Sequence, residues 1–297
     1  MRGVFITDCH LTKQPPSSRI DDYLQTILDK IDWVCKFCKE ENALLFIGGD
    51  IFNSPIMSAG VAYKFLQVLE NNDIVAYVIT GNHDVRFYSQ DMVQESLLGL
   101  VYKTGQVVCL DNKVVELDGV TVGSIWFADG GIPKSDVVLS HRTYFNKKDR
   151  LYQDPEVFAG SDVKLVLAGH DHDNFPELMI GKTRLVRPGA IARCSAHKEN
   201  IERPIVLAYF EVTFEDGVRF VKYIKVPHKP FDSIFFQKSK VDSVLDIDVG
   251  EIIALIHRVK TISVSVDPYD ILDLMDIPVE VKARVIYHLE AVSLYRK

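Results

Sequence analysis

The sequence predicts an α/β protein, with a layered domain over residues 1–229 whose central strands are covered by helices and a small α+β appendage over 230–297. Three observations predict it. Short, nearly continuous apolar runs recur through the first 170 residues, helical patterns lie between several of them, and the pattern changes after Pro227 and Pro230.

In chain order, the apolar runs are Gly3–Thr7, Ala43–Ile47, Ile74–Thr80, Val137–Ser140 and Val163–Ala168, each reading as a strand buried on both faces. Helical spacing of apolar residues covers Ile20–Glu41, Ala59–Asn71 and Gln90–Leu98. From Val107 to Trp126 the sequence turns to short alternating segments, with Asp118-Gly119 as a tight-turn signal, and predicts antiparallel strands beside the main sheet. Arg184–Val186, Ile205–Phe214 and Val218–Val226 continue in strand style. In the appendage the pattern predicts a strand at Ser233–Phe236, a helix from about Val249 to Val259, a strand at Thr261–Val266, and helices begun by Pro268 and Pro278, where the first turn needs no N–H donor.

Composition bounds the function. The 297 residues are 47% hydrophobic and 25% charged, with mean hydropathy near zero, as in ordinary globular domains. No run approaches the roughly 18 apolar residues of a membrane span, and Val4–Ile6 is too short for a signal peptide, so a cytoplasmic protein is expected. A net charge of −7 argues against a uniformly basic nucleic-acid coat but leaves room for a local basic groove. The five cysteines show no paired spacing of a disulfide framework or zinc ribbon, which fits a reducing compartment. Cys35 and Cys38 form a C-x-x-C, but they continue the helical series Ile27, Leu28, Ile31 and Val34 and are read as core residues.

Polar residues of metal-binding type follow each early strand. They are Asp8-Cys9-His10, Gly48-Gly49-Asp50, Gly81-Asn82-His83-Asp84, His141, and Gly169-His170-Asp171-His172. Ligands bind beyond the carboxyl ends of strands in open α/β sheets, so the five clusters are expected to converge. Carboxylate, amide and imidazole donors without thiolate suit Mn, Fe, Zn or Mg, and a shared carboxylate can hold two cations roughly 3.5–4 Å apart. Glycines before Asp50, Asn82 and His170 let the backbone turn sharply near such ions. Singly, each cluster has a plainer reading: a cap or turn at Asp8, a strand end at Asp50, an Asx turn at Asn82, a hydrogen-bonded histidine at His141. Their joint occurrence in order, always at a strand end, favours a metal site.

This order of D-x-H, G-G-D, G-N-H-D, H and G-H-x-H resembles the calcineurin-like metallophosphoesterase superfamily over residues 8 to 172. The resemblance implies that family's fold, with mixed β-sheets covered by helices, and two divalent metal ions, Mn²⁺ foremost. One would be held by Asp8, His10, Asp50 and His172, the other by Asp50, Asn82, His141 and His170, with Asp50 bridging. A hydroxide shared between the metals would attack phosphorus, and His83 would act as the acid at the leaving oxygen with Asp84 holding its ring.

Gly48–Phe52, the Gly81–Asp84 box, Arg187-Pro188-Gly189-Ala190 and the small domain after the core look most like the SbcD-type DNA repair exonucleases. That branch implies a metal-dependent DNA exo- or endonuclease, with DNA as substrate and an SbcC-like ATPase as partner. Thr12 and Asn53 depart from residues common there, and the tail is short for binding such an ATPase. The alternative is a phosphodiesterase or phosphatase acting on small phosphoesters. Arg142, Lys147, Lys148, Arg150, Arg184, Arg187 and Arg193 could receive a nucleic-acid backbone, and Tyr144 and Phe145 could stack on a base, or all could be ordinary loop residues. The helices near Ala59–Leu69 and Val93–Leu98 offer apolar residues for a homodimer, or for the core.

Overall fold

A computed structural model describes residues 1–16, 18–125, 131–174, 176–196 and 198–235, with the single positions 282 and 285. Its elements in chain order are β1 (Arg2–Ile6), α1 (Tyr23–Glu41), β2 (Leu44–Ile47), α2 (Ala59–Asn71), β3 (Ala76–Val78), α3 (Leu97–Val101), β4 (Val107–Cys109), β5 (Val114–Leu117), β6 (Val120–Ile125) and β7 (Val137–Ser140). They continue as β8 (Leu165–Ala168), β9 (Leu178–Ile180), β10 (Thr183–Val186), α4 (Lys198–Glu202), β11 (Val206–Thr213), β12 (Gly217–Lys225) and α5 (Phe231–Ile234). The chain divides into two compact units. The larger comprises Met1–Thr12, Ile27–Arg193 and Glu202–His228, and the smaller comprises Lys13–Thr26, Cys194–Ile201 and Lys229–Lys297.

The larger unit holds two six-stranded mixed sheets flanked by helices, the layered α/β fold that the apolar runs predict. The first runs β12-β11-β1-β2-β3-β4 and the second β5-β6-β7-β8-β10-β9. In each, four strands are parallel, β1 to β4 in one and β6, β7, β8 and β10 in the other, while antiparallel strands add β11 and β12 to one end of the first sheet and β5 and β9 to the two ends of the second. Phe5, Phe46, Ala208 and Phe210 of the first sheet pack against Val122, Val137, Leu139, Leu165 and Leu167 of the second. Side chains alternate across a strand, so Val4 and Ile6, or Leu45 and Ile47, emerge on the other face and are equally buried. That double burial is why these strands read as unbroken apolar runs.

Two expectations are corrected. Val107–Cys109 pairs parallel to β3 at the edge of the first sheet, while the antiparallel hairpin is β5–β6, turned by Asp118 and Gly119 at φ 49° and 73°. The pattern expected as one helix over Gln90–Leu98 breaks at Ser96, which is extended and whose hydroxyl accepts from Gly99 N, so a 3₁₀ stretch at Gln90–Glu95 precedes α3.

On α1, Ile27, Leu28, Ile31, Val34, Cys35 and Cys38 are buried, as their spacing predicts. Burial pushes the Cys35 thiol up to about 12, consistent with a core residue rather than a reactive pair. The apolar positions considered for a dimer, Val61, Ala62, Phe65, Leu69, Leu97 and Leu98, are buried in the chain's own core.

In the smaller unit the Arg19 side chain is buried, paired to Asp21 at 2.7 Å, with its guanidinium over the rings of Tyr23 and Phe235. Of the strand expected at Ser233–Phe236, Ser233 and Ile234 fall in the short helix α5, Phe235 is extended and bridges Arg19, and Phe236 lies outside the described residues. Pro230 presets the entry of α5, and the rings of Phe231 and Phe235 stack at 4.8 Å, an i,i+4 contact that an extended chain does not make. The elements expected between Val249 and the C-terminus lie outside the described residues, except that Lys282 and Val285 are helical. Among the described residues no helix is long and apolar enough to cross a membrane.

Candidate metal centre

The strands of both sheets deliver their polar termini to one place. Asp8 and His10 follow β1, Asp50 follows β2 and Asn82 follows β3, while His141 follows β7 and His170 and His172 follow β8. Three groups have ligand atoms within 4.8 Å of one another: Asp8, His10 and His172; His10, Asp50 and His83; and Asp50, His141 and His170. Asn82 joins the third, its Oδ1 lying 3.1 Å from both His141 Nε2 and His170 Nδ1. All seven residues singled out in the sequence are thus brought together, with Asp50 common to both halves.

The backbone is bent to achieve this. Asp8, His10, Asp50 and His170 have φ of 54°, 45°, 50° and 75°, a region that side chains other than glycine rarely occupy. Such strain persists only where surrounding bonds fix it. Here Asp8 N donates to Gly49 O, His10 N to Asp50 O, and His170 N to Asp8 Oδ2. Two glycines make the approach feasible. Gly49, at φ 95°, would place a Cβ 2.5 Å from His141 Nδ1, and a Cβ on Gly81 would collide with the Asp50 carboxylate.

Electrostatics fit a cation pocket. Asp8 Oδ1 is buried with no hydrogen-bond partner, yet sits 3.6 Å from His172 Nε2 and 3.8 Å from His10 Nε2. A buried, unpartnered carboxylate oxygen converging with two imidazole nitrogens is the arrangement a divalent cation satisfies. Burial drives His10 down to about 4, so its ring is neutral and offers a lone pair near neutral pH. His170 is lowered too, by burial and then by His141. Burial opposes ionisation of Asp50, but His141, 3.3 Å away, and then His10 hold it well below the usual carboxylate range. Burial would lower His141, yet Asp50 raises it to about 10. Gly48 O, which can only accept, lies 2.7 Å from His141 Nδ1 and places a proton there, so Nε2 faces Asp50 and Asn82.

His83 lies at the exposed rim, its ring edge-on to His10 at 4.9 Å and its peptide N–H donating to Asp50 Oδ1 at 2.8 Å. Its Nδ1 meets the carbonyl of Asn53 at 3.1 Å, so Asn53, not Asp84, holds this ring. Asp84 is fully buried and accepts from the amides of Phe52, Gly81 and Ile51, tying the turn after β2 to the turn after β3. Burial and then the Asp50 charge raise its carboxyl to about 7. The Asn53 carbonyl could not be found from residue type, because a backbone acceptor has no sequence signature.

The basic residues divide. Arg187 is buried, paired to Asp171 and lying over the Phe145 ring at 3.6 Å, and Arg193 is buried with its guanidinium donating to Arg203 O. Tyr144 is buried in the second sheet's outer cluster, 2.7 Å from Ser140 Oγ. Of the two readings left open by the sequence, burial favours the structural one for these three. Lys147, Lys148, Arg150 and Phe145 are exposed.

A family model described as calcineurin-like phosphoesterase matches residues 1–174. The DNA double-strand break repair protein Mre11 of Nanoarchaeum equitans is 28% identical over 105 residues, 34% of this chain and 28% of that protein, so the match spans well under a third of that relative. A dimetal phosphatase from Danio rerio superposes with a TM-score of 0.51 at 11% identity, covering 76% of this chain and 99% of that one. A Thermus thermophilus protein, TT1561, gives 0.48 at 13% identity, with 76% and 99% covered. At these identities the structural likeness is one of fold. Because the family match takes in more than half of the chain and every strand-end cluster, the protein belongs to the calcineurin-like phosphoesterase family.

Proposed function

We propose that the protein is a nuclease that hydrolyses DNA phosphodiesters with two divalent cations, Mn²⁺ foremost. The observation that carries the reading is the convergence of Asp8, His10, Asp50, Asn82, His141, His170 and His172 about the shared Asp50, with His83 at the open rim. Similarity to a DNA double-strand break repair protein supports DNA as the substrate class, and the exposed Lys147 and Lys148 in the loop after His141 support contact with a phosphate backbone.

Divalent cations bound there supply activation of water and neutralisation of charge on the phosphate. The chain's own residues do the rest. Asp8 converges with His10 and His172, and Asp50 with His141 and His170, so each carboxylate shares its place with two imidazoles. His83, its Nδ1–H donating to Asn53 O, turns Nε2 outward, and as an imidazolium it would give the Nε2 proton to the departing sugar oxygen.

The test compares wild type with His83→Asn on DNA and on bis-p-nitrophenyl phosphate in Mn²⁺, with metal content measured on the same samples. Wild type should cleave DNA. The variant should keep both metals, lose roughly 10²–10⁴-fold in turnover of DNA, and lose much less on the activated diester, whose leaving group needs no proton. A wild type that hydrolyses the diester but no DNA sinks the nuclease reading, and equal losses on both substrates or a missing metal remove His83 from the acid role.

A further inference from the structure

Beyond the seven residues at strand ends, the loop after His141 brings one more carboxylate to the site. His170 Nε2 points away from Asn82 and lies 3.4 Å from Asp149 Oδ1. A carboxylate accepts but does not donate, so this contact places the ring proton on Nε2 and leaves the Nδ1 lone pair facing Asn82 Oδ1 at 3.1 Å. His141 is arranged the other way round, with Gly48 O behind Nδ1 and Nε2 facing inward. The two imidazoles therefore turn opposite nitrogens to the same place, each oriented by an acceptor behind it.

Asp149 is itself built in. Its peptide N–H donates to Asn146 O at 2.9 Å, its Oδ1 accepts from Leu151 N at 2.7 Å, and its carbonyl accepts from Tyr152 N at 3.2 Å. Leu151 is buried against Val85, one residue past Asp84, and Gln153 N closes the loop onto Thr143 O. The loop is thus clasped at its base and packed against the turn that carries His83.

We propose that Asp149 is a positioning residue for metal binding, holding His170 by its remote ring nitrogen so that Nδ1 faces the cation. The inference rests on the metal-centre reading above. Carboxylate partners of metal-ligating histidines fix tautomer and ring orientation, and losing one costs about 10–100-fold in metal affinity. Nothing in the local sequence Lys147-Lys148-Asp149-Arg150 marks this role; only the fold brings Asp149 to His170.

Calorimetric titration of the metal-free full chain with Mn²⁺ tests it, using wild type, Asp149→Ala, Asp149→Asn, His170→Ala and the double variant Asp149→Ala/His170→Ala. Asparagine keeps an acceptor for Leu151 N and so preserves the turn, which the melting temperature of each metal-free protein verifies. Asp149→Ala should weaken one of two Mn²⁺ sites by about 10–100-fold, with Asp149→Asn in between at an unchanged melting temperature. In the His170→Ala background the Asp149→Ala change should add nothing, because the two residues act as a unit. Wild-type affinity in Asp149→Ala would overturn the proposal. So would full restoration by asparagine of a loss that tracks melting temperature, which makes Asp149 a turn residue, or an Asp149→Ala loss that persists without His170, which makes it a direct ligand. A wild type that binds no Mn²⁺ overturns the metal-centre reading itself.

Discussion

The first sheet supplies both carboxylates, the amide and one imidazole of the candidate centre, whereas the second supplies three imidazoles. The two sets are fixed by different means. Asp8, His10 and Asp50 are aimed by left-handed backbone and by glycines that let neighbouring turns interlock. His141 and His170 also have acceptors behind their rings, Gly48 O and Asp149, although His170 shares the left-handed backbone of the first set. Rigid backbone suits short carboxylates, which have few torsions to adjust, while an imidazole needs its ring rotation set by an acceptor. The first sheet should therefore be sensitive to backbone crowding, and the second to changes in the acceptors.

The largest test of that asymmetry is metal stoichiometry. Asp50 lies 3.3 Å from His141 and 3.8 Å from His10, one in each half of the centre, so Asp50→Asn should lose both ions and about 10⁴-fold or more in turnover. His170→Ala should also abolish activity yet keep one ion. If elemental analysis finds the two variants equally stripped, Asp50 is not the shared residue. A smaller effect is expected from Gly81→Ala, whose methyl would push on the Asp50 carboxylate and backbone. Displacing a reacting group by about 1 Å can cost about 10²-fold, so turnover should drop by that order in a protein whose circular dichroism is native. Wild-type turnover in Gly81→Ala would show that this edge is softer than its geometry implies.

The smallest effect lies at the opposite ends of the second sheet's strands, where Asp136 receives Thr121 N, Thr121 Oγ1 and Lys164 Nζ and so ties the starts of β6, β7 and β8 together. Burial would raise its carboxyl, but the Lys164 and Thr121 bonds outweigh that and lower it. A folded pKa below the unfolded value of about 3.9 gives stability that is present above that pH and fades as pH falls through the folded value. Asp136→Asn should therefore lower the melting temperature at pH 7, and the gap to wild type should narrow toward pH 3. A gap that stays constant with pH would assign the effect to hydrogen-bond geometry rather than charge.

What the sequence disclosed follows the same division. Residues at the ends of apolar strands were legible, because strand, glycine and polar cluster are contiguous in the chain; Asp8, Asp50, Asn82, His141 and His170 needed only that pattern. The acceptors behind the rings were not. Asn53 reaches His83 through a carbonyl, and Asp149 reaches His170 from 21 residues away along a loop with no periodicity. Arg187 and Tyr144 stayed open to two readings for the complementary reason: residue type suggests exposure, but Asp171 pairs with the arginine and the outer cluster of the second sheet encloses the tyrosine. The division into two sheets was hidden as well, since strands buried on both faces read alike in either.

Four residues at the centre, Asp8, His10, Asp50 and His170, hold a left-handed conformation that costs about 1–2 kcal/mol for a residue with a Cβ and almost nothing for glycine. Glycine at any of them would relieve the strain and remove the donor, and at Asp8 or Asp50 it would also take the acceptor from the amide of His170 or His83. At four places where glycine would be the easier residue for the backbone, the chain carries a side chain with a donor atom instead.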